Sequence, residues 1–161
     1  MSKQMVRVGC ALKQSEIDGV IWPPFCHEWL WAENAGNENV FRILSSPFYA
    51  KNLSIYDIVV AREIETDPER FELKTVEHRS GWSTFQAFLE DHPLRETAQQ
   101  FLQALEQIGC QIENEEQTGM SSIGSPPKLD AKTVEQLLME AEKSGILTYE
   151  VGWLGECEPP A

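Results

Sequence analysis

Two apolar stripes at helical spacing constrain this chain more than any other feature. Leu94, Ala98, Phe101, Leu102, Leu105 and Ile108 share one face of a predicted helix, and Val134, Leu137, Leu138 and Ala141 share one face of a second. Each stripe has a start and a stop. Asp91, His92 and Pro93 open the first, with the proline pre-set for an initial helical turn, and Gly109 closes it. Asp130 caps the second and Gly145 ends it. Around the helices, Trp82 to Phe88, Cys110 to Glu113, Met120 to Ile123 and Ile146 to Trp153 read as short strands, with a turn at Gly119 and a break at Pro126-Pro127. The order is β-α-β-β-α-β. That is the ferredoxin-like split arrangement, with two helices on one face of an antiparallel sheet.

Before residue 80 no such stripe exists. Met5 to Leu12, Glu28 to Glu33, Val40 to Leu44, Ile58 to Ile64 and Phe71 to His78 read as strands. Trp22-Pro23-Pro24-Phe25 breaks any helix, Asn34 to Asn39 suits a hairpin turn, and Asp67-Pro68-Glu69 marks another turn. Short strands at close spacing predict a small barrel or strongly bent sheet. The fold class is therefore α+β, with a β-rich subdomain over residues 1–79 and a ferredoxin-like subdomain over residues 80–161, separate or as one compact unit.

Composition narrows the function. Acidic residues number 26 against 13 basic ones, a net charge of −13 in 161 residues. Phosphate backbones repel such a surface, so no direct nucleic-acid partner is expected. A basic protein partner would be attracted and steered. No apolar run reaches the length of a membrane span, and Met1 to Leu12 lacks a signal core, which together predict a cytoplasmic location away from membranes. Cys10, Cys26, Cys110 and Cys157 show no disulfide or metal spacing and are read as reduced thiols. His27, His78 and His92 pair with no ligand at helical spacing, so neither a metal nor a cofactor is expected.

The candidate sites follow from charge and aromatic density. Acidic residues cluster at Glu63, Glu65 and Asp67 and at Glu113, Glu115 and Glu116, and these six are the predicted contacts for a basic protein. Trp22, Phe25, Trp29 and Trp31 form a dense aromatic group that either fills a small β core or serves as a binding patch. Trp29 and Trp31 share a strand face by period two. Asp57, His78, Arg79 and Ser83 are the residues an enzymatic site would use, but the segment lacks a nucleophile elbow, and a Ser-Gly turn at Ser80-Gly81 has a purely structural reading.

Several segments in order resemble a widespread bacterial family of unknown function: Trp22-Pro23-Pro24, then Glu28 to Glu33, Ser46-Pro47-Phe48-Tyr49, Asn52 to Val59, Ser80-Gly81-Trp82-Ser83-Thr84-Phe85, and Leu105 to Cys110. The resemblance spans roughly residues 20–153. It implies a histidine where Trp82 stands, an arginine where Gln86 stands and a glycine where Tyr56 stands. A polar pair lost at Trp82 and Gln86 argues against an enzyme, and Tyr56 implies an altered turn before Asp57. Small acidic proteins of this kind look like immunity proteins of bacterial toxin systems. The expected function is a non-catalytic acidic binding protein, an immunity-type inhibitor of a toxin domain. The alternatives are a small-ligand sensor and a hydrolase or transferase with a site near His78.

Overall fold

Alternation builds the first half. The structure, a computed structural model, describes residues 4–89, 94–115 and 117–155. Strands β1 (Met5–Ala11), β4 (His27–Asn34), β5 (Val40–Ile43), β6 (Ile58–Ile64) and β7 (Asp67–His78) close into a barrel in that order. Neighbours are antiparallel except β1 and β7, which pair in parallel and shut the ring. Closure leaves these strands without a free edge. Val6, Val8, Leu30, Ala32, Phe41, Ile43, Val59 and Ala61 point inward and form one buried cluster.

The barrel core is built of aliphatic residues and Phe41, not of tryptophans. Trp29 and Trp31 do share a face of β4, but it is the outer one, because Leu30 and Ala32 between them take the core. The Arg7 guanidinium lies 4.5 Å over the Trp31 ring and that of Arg70 lies 4.8 Å over Trp29. Trp29 packs directly on Gly9 of β1, where a Cβ would meet the indole at 2.6 Å. The expected turn at Asp67-Pro68-Glu69 falls two residues earlier, on Glu65 and Thr66, and β7 already begins at Asp67, whose carboxylate accepts the Glu69 N–H at 3.0 Å.

The second half forms a four-stranded sheet from β8 (Ser83–Phe88), β9 (Gln111–Glu115), β10 (Met120–Ser125) and β11 (Thr148–Trp153), in the order β11-β8-β10-β9 with all neighbours antiparallel. Helices α1 (Arg95–Gln107) and α2 (Ala131–Lys143) pack on one face. Ala98, Leu102, Leu105, Val134, Leu138 and Ala141 meet Phe85, Ala87 and Ile123 there in a second buried cluster. Asp130 caps α2, accepting the Lys132 N–H at 3.0 Å. The expected α1 start at Asp91–Pro93 lies outside the described residues.

The other face of this sheet is polar, and the segment from Ser46 to Asp57 lies across it. Ser122 Oγ donates to the Pro47 carbonyl at 2.7 Å and lies 2.5 Å from Ser46 Oγ. Ser54 and Thr84 hydroxyls meet at 2.5 Å, and the Asn52 N–H donates to the Gly152 carbonyl at 2.8 Å. Asp57 ends the segment with a buried carboxylate that accepts the N–H groups of Ser54 at 2.9 Å and Ser80 at 2.8 Å and pairs with Arg79 at 3.3 Å. Arg79 in turn donates to the Asn52 carbonyl and stacks 3.6 Å over Trp153. Tyr56 takes φ 69, the left-handed region glycine enters freely, so the turn before Asp57 keeps a glycine-like conformation despite the tyrosine. The Tyr56 ring packs edge-on against Trp82 at 5.2 Å and lies 4.8 Å beneath the Arg42 guanidinium.

Replacing Asp57 strands the Ser54 and Ser80 amides and leaves Arg79 without its carboxylate. Asp57→Ala is expected to lower unfolding free energy by about 3 kcal/mol, measured by urea denaturation.

Candidate functional site

A hairpin that the sequence reading did not place borders a hollow in the surface. Strands β2 (Ser15–Ile17) and β3 (Val20–Trp22) pair only with each other. Asp18 and Gly19 join them with φ 50 and 80, the two left-handed residues that a tight hairpin turn of matching twist requires. Ile17, Val20 and Ile21 are 61%, 60% and 58% exposed. At the base of the hairpin Trp22 turns inward, edge-on to Tyr49 at 5.8 Å and to Phe88 at 5.9 Å. The Trp22-Pro23 peptide is cis.

Two adjoining hollows lie beneath Trp22. The larger, about 590 Å³, runs between the barrel strands β1 and β7 and the Phe48–Asn52 segment, and reaches Lys51 and Glu72. The smaller, about 360 Å³, is walled by Phe88, Thr148 and Tyr149. Trp22, Gln86, Met120 and Glu150 border both. Gln86 is buried, and its Nε2 donates to the carbonyls of Ala50 at 2.9 Å and Pro47 at 3.3 Å. Its oxygen accepts from Lys51 Nζ, which also meets the Glu150 carboxylate at 2.7 Å.

Glu28 holds the wall of the larger hollow from behind. Its carboxylate accepts the N–H groups of Phe48 at 2.6 Å, Ala50 at 2.8 Å and Tyr49 at 3.0 Å. Burial still pushes its carboxyl above the usual range, the three amides pull it back, and the Glu115 charge adds to the rise. Burial pushes the Tyr49 hydroxyl up to about 12, with Thr118 lowering it and Glu115 raising it. Burial also pushes the Cys10 thiol up to about 12, helped by Glu28 and Glu72, so this thiol lacks the thiolate character a nucleophile needs. Among the described residues, no group of three or more His, Cys, Asp or Glu side chains is placed to hold a metal ion.

The acidic residues singled out from sequence fall in two places. Glu63 and Glu65 are exposed at the β6–β7 turn, and Asp67 beside them pairs with Arg70 at 3.4 Å. Glu113 and Glu115 lie on the polar face of β9, turned toward the Ser46–Ala50 backbone. Glu113 accepts the Ser46 N–H at 2.7 Å, and Tyr49 donates to Glu115 at 3.4 Å. Burial raises the Glu113 carboxyl, and the Ser46 hydrogen bond opposes it. Glu116 lies outside the described residues. Asp57 and Arg79 are joined in the segment lock described above. Ser83 Oγ accepts the Gly155 N–H at 2.9 Å, and His78 is exposed at the end of β7. The hairpin itself had a signal in the sequence: Asp18-Gly19 between two short apolar stretches.

A family model for a domain of unknown function, DUF4265, matches residues 28–149, more than half of the chain. No curated protein matches. A crystal structure of a hypothetical protein from Neisseria gonorrhoeae superposes with a TM-score of 0.71 at 22% identity, covering 98% of this chain and 99% of that one, which shows a shared fold. No helix among the described residues is long and apolar enough to cross a membrane.

Glu28 yields a pH signature. A carboxyl raised by folding contributes stability that is complete below its unfolded pKa of about 4.3 and is lost as pH rises through the folded value. Glu28→Gln removes that titration while keeping one acceptor oxygen. Its cost relative to the wild type is expected to be largest near pH 4 and to shrink toward pH 7, read from urea unfolding at stepped pH.

Proposed function

The chain belongs to the DUF4265 family of domains of unknown function, and from that premise we propose that it is a non-catalytic binding protein of the cytoplasm whose partner is a basic protein, as a toxin domain is for an immunity-type inhibitor. One observation carries the reading. Three aliphatic side chains, each about 60% exposed, lie on one two-stranded hairpin of a chain with net charge −13, Ile17 opposite Val20 on one face and Ile21, opposite Glu16, on the other. Exposed apolar groups of this kind mark interaction surfaces. Glu16 and Asp18 border them, and Phe25, 43% exposed, follows in sequence. The acidic field would steer a basic partner in, and the hairpin would supply the desolvated contact.

The polar groups an enzyme would use support the non-catalytic reading by how they are spent. Asp57 holds two amides and Arg79, and Ser83 holds Gly155. Glu63, Glu65 and Asp67 serve as steering charges. Glu113 and Glu115 lend their charge from positions already used in packing, with Glu116 next in sequence. The β11-β8-β10-β9 order with both helices on one face supports naming the second half ferredoxin-like. A second reading, a small-ligand-binding domain, is favoured by the hollows beneath Trp22.

The test is a pull-down from the source cell with tagged protein at low and moderate salt. One stoichiometric, basic, salt-sensitive partner is expected, and the double variant Ile17→Ser, Val20→Ser, which removes the apolar cross-strand pair, should retain about tenfold less of it or lower still. Charge reversal at Glu63, Glu65 and Asp67 should slow association at low salt. An empty wild-type pull-down, or equal capture by the hairpin variant, overturns the docking reading.

A further inference from the structure

We propose that the two adjoining hollows beneath Trp22 together bind a small organic carboxylate, with its charged end on the Lys51 ammonium, which borders the larger, and its apolar body in the smaller, against Trp22, Phe88 and Met120. This rests on the second reading above; it shares Trp22 and Ile17 with the hairpin, while Val20 and Ile21 border neither hollow.

Lys51 is a placed cation. Gln86 is 2% exposed, and its Nε2 is committed to the Pro47 and Ala50 carbonyls. The amide therefore cannot flip, and its oxygen is presented to Lys51 Nζ. The ammonium has two further donors, one of which meets the Glu150 carboxylate at 2.7 Å. That side-chain carboxylate demonstrates the chemistry a ligand would use. It is also replaceable, because Glu150 is 72% and Lys51 41% exposed, and an ion pair this open to water is weak.

The walls choose the rest of the ligand. Trp22 is wedged edge-on between Tyr49 and Phe88, which fixes its ring as one side of the hollow. A volume of about 360 Å³ falls in the range of small-molecule sites. A phosphate is a poor fit. No arginine borders either hollow, and the two lysines of the larger one, Lys13 and Lys51, are matched by Glu72 and Glu150, which oppose a second negative charge.

Calorimetric titration of the full chain tests this, using 3-phenylpropionate and octanoate beside their primary amides and the corresponding amines. One equivalent of carboxylate should bind saturably and about tenfold more tightly than its amide. Lys51→Met should reduce the acid to the level of the amide, and Lys51→Arg should restore part of the preference. Glu150→Gln should tighten the acid several-fold by removing its competitor. Trp22→Ala should weaken acid and amide alike. Both lysine variants alter an exposed side chain, and unchanged thermal unfolding would show that they fold. Equal binding of acid and amide, preference for the amine, or indifference to Lys51→Met overturns the carboxylate assignment and leaves a small-ligand site standing. No saturable binding of any compound to the wild type or to Glu150→Gln overturns both.

Discussion

The segment from Ser46 to Asp57 is where the two halves of the molecule become one, and it is held by polar groups. Asp57 gathers two amides and an arginine, Glu28 gathers three consecutive amides, and Gln86 reaches up from the middle of the sheet to two carbonyls. Apolar packing does its work on either side, in the barrel and beneath the helices. An irregular segment crossing a sheet brings backbone donors and acceptors that must be satisfied when covered. Here short buried side chains satisfy them: Ser46, Ser54, Thr84 and Ser122 are each 1% exposed or less. A hydrogen bond is directional, so this seam sets the orientation of sheet to barrel more sharply than an oily contact could.

That orientation creates the concave surface. The polar sheet face continues past the seam to Phe88, Met120, Thr148 and Glu150, where the covering segment ends and the hairpin base at Trp22 stands opposite. The same residue that pins the segment, Gln86, also presents its oxygen to Lys51. Structural and candidate binding roles thus meet in one side chain. On the barrel's outer surface a different economy holds. Trp29 and Trp31 each lie beneath an arginine guanidinium on that surface, and Trp31 stays 44% exposed.

Local periodicity made much of the fold legible. The stripe through Val134 and Leu138, the Asp130 cap and Gly145 placed α2 because each is a property of a few neighbouring residues. The barrel strands were legible for the same reason. The inward turn of Leu30 rather than Trp29 was not, because alternation says that two faces differ and not which one meets the core. The hollow was illegible altogether. It unites Trp22, Lys51, Gln86 and Glu150, residues widely separated in sequence and brought together only by the seam. Glu113 shows the limit of reading charge from sequence. It looks like surface acidity and serves as a backbone clamp. The Asp18-Gly19 turn is the opposite case, a purely local hairpin signal between two short apolar stretches.

Much of the seam recognises main chain rather than side chain. Gln86, Ser122 and Arg79 take hold of the carbonyls of Pro47, Ala50 and Asn52, and Glu28 takes the amides of residues 48, 49 and 50. A carbonyl or an amide is the same on nearly every residue. The bonds therefore do not depend on which side chains the gripped positions carry, whereas a change at a gripping one must bring another donor or acceptor, as the arginine that the resemblance implies at position 86 would.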